Sequence, residues 1–459
     1  MRSTHRAVLS LLFISALGTS VAVAQSATHS AAVLTGRWDA QLTDNGPAIP
    51  FRLDISGSGP TLKGTFYDGS KPYESTTSAT FEDGKLVLRQ DHYLTTITAT
   101  LENGELKGQV ALRGPGYHIE YGLRAKKHVD EVVDAKNIPS IAGQWEIPLP
   151  STSAKGEKAF RLSARQNGAE AEVSILRIDG DTGAYSGTYK DGKWVLSHFD
   201  GHRPGVIEVT AKNDGTLQIF KDDGALLRAI AGENGNAKDA EKPKDAYSPA
   251  PSVASTSETY IAYRPEVARA KGLPQPDDFN THTTVRNANE QFTFNFPDAS
   301  GKLVSNDDPR FKGKVVVAVV TGTWCPNCHD EARFLVELDK KYRDKGLAIV
   351  ALDFEEPEEQ AKLERERAFI KEYGVNYTYL IAGAPAEMWE KVPQAVNLNT
   401  WPATIFVGRD GLVKGIHSGF ASQASGEFNT QLEQEFTSKI EQLLAEKPTQ
   451  QTASARGQF

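Results

Sequence analysis

Val315-Val316-Val317-Ala318-Val319-Val320-Thr321-Gly322-Thr323-Trp324-Cys325-Pro326-Asn327-Cys328-His329 is the stretch on which the reading of this chain turns. Its first six residues form a continuous apolar run, the pattern of a strand buried on both faces. From His329 to Tyr342 the apolar residues Phe334, Leu335, Leu338 and Tyr342 fall at helical spacing. The two cysteines therefore sit where a buried strand ends and a helix begins. A helix N-terminus presents unpaired amides and the positive end of the macrodipole, which favours thiolate over thiol. Cys325 is expected to be the exposed nucleophile, and Cys328, one turn in, the buried resolving thiol. Pro326 suits the first helical turn because it needs no amide partner there.

Cys325 and Cys328 are the chain's only two cysteines among 459 residues, and they stand three apart. So small a ring staples little of a fold, so the pair reads as chemistry rather than scaffolding. Downstream, a buried strand (347–354), a charged helix (357–373), a strand (377–381), a short helix (385–391), a strand (404–408) and a last helix (427–446) follow one another. This alternation predicts an α/β domain around a central mixed sheet.

The cysteine segment resembles the thioredoxin superfamily, most closely the exported TlpA/ResA-like thiol-disulfide oxidoreductases, over residues 276–446. Trp324, Glu331 and the run Thr400-Trp401-Pro402-Ala403-Thr404-Ile405-Phe406-Val407, followed by Arg409-Asp410-Gly411, carry the resemblance with the cysteines. It implies a thioredoxin-like domain, a cis peptide before Pro402, and a substrate groove formed by Trp324, Trp401 and Pro402. It also implies protein disulfides as substrates and a membrane-embedded thiol electron donor, with no cofactor and no metal. The chain departs from the pattern twice. Where thioredoxins carry a buried acid, six residues before the first cysteine, stands Val319, which leaves Glu331 as candidate proton acceptor. Where the family's helix has a kinking proline stands Arg333.

Residues 34–124 show short alternating apolar and polar runs punctuated by Gly, Asp and Asn, the signature of antiparallel strands joined by tight turns. The pattern recurs over 141–230. Gly36-Arg37-Trp38 matches Gly143-Gln144-Trp145, Phe51-Arg52-Leu53 matches Phe160-Arg161-Leu162, and Gly64-Thr65-Phe66-Tyr67 matches Gly187-Thr188-Tyr189-Lys190. Asp83-Gly84-Lys85-Leu86-Val87-Leu88 likewise matches Asp191-Gly192-Lys193-Trp194-Val195-Leu196. A tandem duplication of a β-meander follows, with about eight strands per copy, enough for closure into a barrel. The fold class is thus multidomain: an all-β tandem repeat (30–128 and 139–232), a linker (233–260), a thioredoxin-like domain (276–446) and a disordered tail (447–459).

Arg2 and Arg6, an apolar run from Ala7 to Ala24, and the small-x-small triplet Ala22-Val23-Ala24 predict a secretory signal cleaved near Ala24, hence a periplasmic protein. No cysteine follows that run, which excludes bacterial lipid attachment. With hydrophobic residues at 39%, charged residues at 24% and a net charge of −8, the chain is neither a polytopic membrane protein nor a natural ligand for nucleic acid. No membrane insertion is expected after signal cleavage.

Other readings of the same residues are a thiol oxidase or isomerase of the same fold, and a β-barrel binding protein with an accessory redox domain. Cys325-Pro326-Asn327-Cys328-His329 also fits c-type haem attachment, but the preceding strand and the Pro402 segment favour thiol exchange, with His329 as an exposed helix residue. A peroxide-reducing centre would have a threonine where Gly322 stands.

Overall fold

In the computed structural model, residues 31–114, 117–130, 137–222 and 257–446 are described. The expected export segment, the expected tail and most of the expected linker lie outside them.

Nine strands between Gly36 and Lys127 form the first unit. Strands adjacent in sequence pair with one another at every step but one, and the first, Gly36–Thr43, also pairs with the last, Tyr117–Lys127, which curls the meander round. The seam lies between Lys71–Ser75 and Ser78–Glu82, which are not paired with each other. Eight strands from Gly143–Pro148 to Ser257–Ala262 form the second unit in simple sequential order. Its ends meet through two backbone hydrogen bonds of 2.8 Å between Glu146 and Tyr263. The last strand contains residues 257–260, so the expected linker ends before Ser257, because these residues complete the edge of the second sheet.

The duplication is visible atom by atom. The indole of Trp38 donates to the Leu34 carbonyl and that of Trp145 to the Ile141 carbonyl, both at 2.8 Å and both four residues back. Trp38 faces Leu53 across its strand pair as Trp145 faces Leu162. A cation covers each indole, Lys127 at 4.4 Å and Arg264 at 3.7 Å. The hairpins Asp83-Gly84 and Asp191-Gly192 all have positive φ, as a two-residue turn matching the strand twist requires. Both interiors are filled with side chains: Trp38, Phe66 and Leu106 in one, Trp145, Trp194 and Ile219 in the other, all buried.

The third unit is a five-stranded sheet in the order Thr378–Gly383, Leu347–Phe354, Val315–Thr321, Ala403–Val407, Val413–Ser418. The first two pairings are parallel and the last two antiparallel. Val315, Val317 and Val319 pack with Leu335, Phe369 and Phe436 from the helices Pro326–Tyr342, Glu364–Tyr373 and Glu427–Ala445. Val316, Ala318 and Val320 pack on the other face with Phe292, Phe294, Met388 and Trp324. A central strand covered on both faces has no use for polar alternation, which is why its sequence is a plain apolar run. The expected helix over 357–373 is broken into Pro357–Lys362 and Glu364–Tyr373 by Leu363, whose φ is 54°.

Candidate active site

Cys325 caps the helix Pro326–Tyr342. Its backbone is extended, and its sulfur accepts from the Cys328 amide at 3.3 Å. The Cys325 thiol also lies 3.4 Å from the Trp401 carbonyl oxygen, to which it donates. The Trp401–Pro402 peptide is cis. The rings of Trp324 and Trp401 meet at 5.1 Å and 64°, and Trp324 is fixed by an indole hydrogen bond to the Phe354 carbonyl (3.0 Å). Trp324, Cys325, Cys328, Trp401 and Pro402 are thus brought to one place. Cys328 is buried as expected, and burial, with Cys325 beside it, pushes its thiol well above the ordinary range.

Cys325 departs from expectation: it is only 2% exposed. The segment Arg177–Gly183 of the second barrel lies against the motif. The Asn327 side chain donates to the Asp179 carbonyl (2.7 Å) and accepts from the Thr182 amide (2.9 Å). Gly180, at φ 125°, pairs with Phe420, and a Cβ there would stand 2.5 Å from the Asn327 carboxamide carbon and 2.4 Å from the Phe420 oxygen. Asn399, two residues before Trp401, donates to the Lys155 carbonyl at 3.3 Å. Another domain thus lies against the motif at Asn327, two residues beyond Cys325, which helix position alone could not foresee.

Glu331 lies one turn beyond Cys328, 1% exposed, and accepts from the Thr404 hydroxyl. Thr404 pairs across the sheet with Val319. The acid absent at Val319 is thereby replaced by one entering from the helix toward the neighbouring strand. Burial raises the Glu331 carboxyl to about 8. Burial pushes the Tyr377 hydroxyl up, and the charges of Glu331, Asp339 and Cys328 add to the shift. Arg333, in place of a kinking proline, leaves the helix unbroken and reaches into the first barrel, where it pairs with Glu74 and lies 4.3 Å over Tyr73.

His329 also departs from expectation. It is fully buried, with Nε2 2.7 Å from the Thr323 carbonyl, Nδ1 2.7 Å from the Tyr373 hydroxyl, and its ring stacked at 4.1 Å on Tyr93 of the first barrel. Reading the helix by its own period could not reveal a ring supplied from 236 residues upstream. The same holds for Glu355, whose carboxylate accepts from the Thr323 amide (2.6 Å) and pairs with buried Arg365, bracing the loop that presents Cys325.

A five-stranded mixed sheet with a Cys-x-x-Cys helix cap facing a cis-proline loop defines a thioredoxin-fold redox domain. The comparisons agree: the sequence model of the AhpC/TSA family matches residues 288–416. The thioredoxin-like protein YneN of Bacillus subtilis (strain 168) is 32% identical over 128 residues, 27% of this chain and 69% of that protein. The thiol-disulfide oxidoreductase ResA of Bacillus anthracis is 30% identical over 116 residues, 25% of this chain and 60% of its own length. The chain thus spans about 60% of the ResA relatives it matches. A solved structure of a putative thiol:disulfide interchange protein DsbE from Chlorobium tepidum is similar at 20% identity with a TM-score of 0.27, covering 34% of this chain and 99% of that one. Through its C-terminal domain the chain belongs to the thioredoxin-like, TlpA/ResA-type family. Among the described residues, no helix is long and apolar enough to cross a membrane.

Proposed function

We propose that this protein is an exported thiol-disulfide oxidoreductase that reduces protein disulfides. The observation that carries the reading is the placement of the Cys325 sulfur at a helix N-cap, 3.4 Å from the backbone of the cis-proline loop. In this reading the Cys325 thiolate attacks one sulfur of a substrate disulfide and the other sulfur leaves as a thiolate. The resulting mixed disulfide lies in the groove of Trp324, Trp401 and Pro402. The Cys328 thiol gives its proton to the ionised fraction of Glu331, attacks Cys325, and releases the second substrate thiol while the two cysteines become a disulfide. Two electrons have then passed from the cysteine pair to the substrate, and a membrane-embedded thiol donor restores the pair. Export rests on the Arg2 to Ala24 segment.

Insulin-disulfide reduction tests it. Cys325→Ser abolishes turnover, whereas Cys328→Ser accumulates mixed disulfides visible on non-reducing gels; activity that survives the first change refutes the mechanism. Equilibration with dithiothreitol fixes the direction of flow: a potential near or below about −250 mV fits a reductant, and one near −120 mV an oxidant.

A further inference from the structure

Away from the cysteine pair, Glu74, His92 and His329 each bring one donor atom within 4.8 Å of the others. All three are buried, at 2%, 0% and 0% exposure. Glu74 and His92 belong to the first barrel, and His329 follows Cys328 in the redox helix, so the trio spans a domain boundary.

Three features of this trio point past ordinary packing. First, His92 Nε2 and Glu74 Oε2 are 3.5 Å apart. That exceeds a good N–H···O bond of about 2.7–3.2 Å. It does match two ligands held about 2.0–2.1 Å from one tetrahedral ion, which lie about 3.3 Å from each other. Second, neither ring nitrogen of His92 has a hydrogen-bond partner. An unsatisfied polar group in an interior costs about 1–3 kcal/mol, and the same atoms are good ligands when neutral.

Third, two acceptors compete for one proton beside His329. Its Nε2 faces the Thr323 carbonyl, which can only accept, so Nε2 carries the proton and Nδ1 offers a lone pair. The Tyr373 hydroxyl lies 2.7 Å from that Nδ1 and 2.8 Å from Glu74 Oε1, yet has a single proton for two acceptors. A bound cation resolves the competition: Nδ1 ligates the ion, and Tyr373 donates to Glu74 alone. The Nε2–H bond to a backbone carbonyl is the support a ligating histidine commonly has.

We propose that Glu74, His92 and His329 form a binding site for a divalent transition ion of the zinc class, tying the first barrel to the redox helix one residue beyond Cys328. Two neutral nitrogens and one carboxylate oxygen suit such an ion, whereas calcium requires six to eight oxygens. Arg333 occupies Glu74 Oε1 and leaves Oε2 to the ion. A cleft of about 340 Å3 bounded by Tyr73, Glu74, Arg333 and Tyr373 provides the route in.

Zn2+ titrated calorimetrically into the full chain, stripped by chelator and carrying Cys325→Ser and Cys328→Ser so that thiolates do not compete, tests the site. One ion per chain is expected, with a melting temperature that rises with Zn2+ concentration. Glu74→Gln, which keeps the side chain's size, weakens binding at least tenfold, and His92→Ala abolishes the Zn2+-dependent rise; circular dichroism checks that both are folded. Absence of stoichiometric binding overturns the proposal and leaves His92 to a buried water. Binding unchanged in Glu74→Gln overturns it equally, since the ion then sits elsewhere.

Discussion

Burial lifts the Glu331 carboxyl from 4.5 to about 8 in the folded chain, and the sign of the pH effect follows. Unfolding lets this group ionise wherever the pH exceeds 4.5, so the folded state holds the extra proton and loses stability as pH climbs from 4.5 to about 8. Glu331→Gln removes that dependence. Thermal melts of variant and wild type, close at pH 5, should separate by several degrees at pH 8, with the variant higher. In stopped-flow reduction the same substitution slows resolution of the mixed disulfide, where a proton leaves Cys328, more than initial attack by Cys325. Equal slowing of both steps argues that Glu331 is merely packed there. The position was legible in the sequence because it lies one turn past Cys328. Its pairing with Thr404 was not, since strand register across the sheet has no local signature.

At the scale of the element, the paired Gly-x-Trp openings offer an internal control. Trp38 and Trp145 make the same indole hydrogen bond, face the equivalent leucine and lie under the same kind of cation. Trp38→Phe and Trp145→Phe each discard a buried hydrogen bond and should each cost about 0.5–1.5 kcal/mol; urea unfolding curves give both values. A much larger loss at one site shows that the copies have diverged in what the hook supports. The duplication, the two-residue turns and the apolar Val315–Val320 strand were readable because period and turn chemistry are local. The Leu363 break and the last strand of the second barrel were not, the former resting on one backbone angle, the latter on closure with Glu146.

For the whole molecule, the decisive feature is that both barrels touch the redox helix: the first through Tyr73, Glu74 and Tyr93, the second through Asp179 and Thr182. Substrate access to Cys325 therefore requires the Arg177–Gly183 segment to part from Asn327. Asn327→Ala removes two hydrogen bonds, together about 1–3 kcal/mol, and should speed iodoacetamide alkylation of Cys325 in the reduced protein by roughly 5- to 150-fold. An unchanged rate shows that the cover is held elsewhere. None of this was legible one domain at a time, because a contact between Asn327 and Thr182 leaves no trace in the periodicity of either segment. The order of the domains along the chain has a consequence for biogenesis. Domains fold as units with the N-terminal ones first as the chain emerges, so the barrel that shields Cys325 is shaped before the cysteines are made. The thiols then meet their guard as they fold, which limits stray pairing with other thiols.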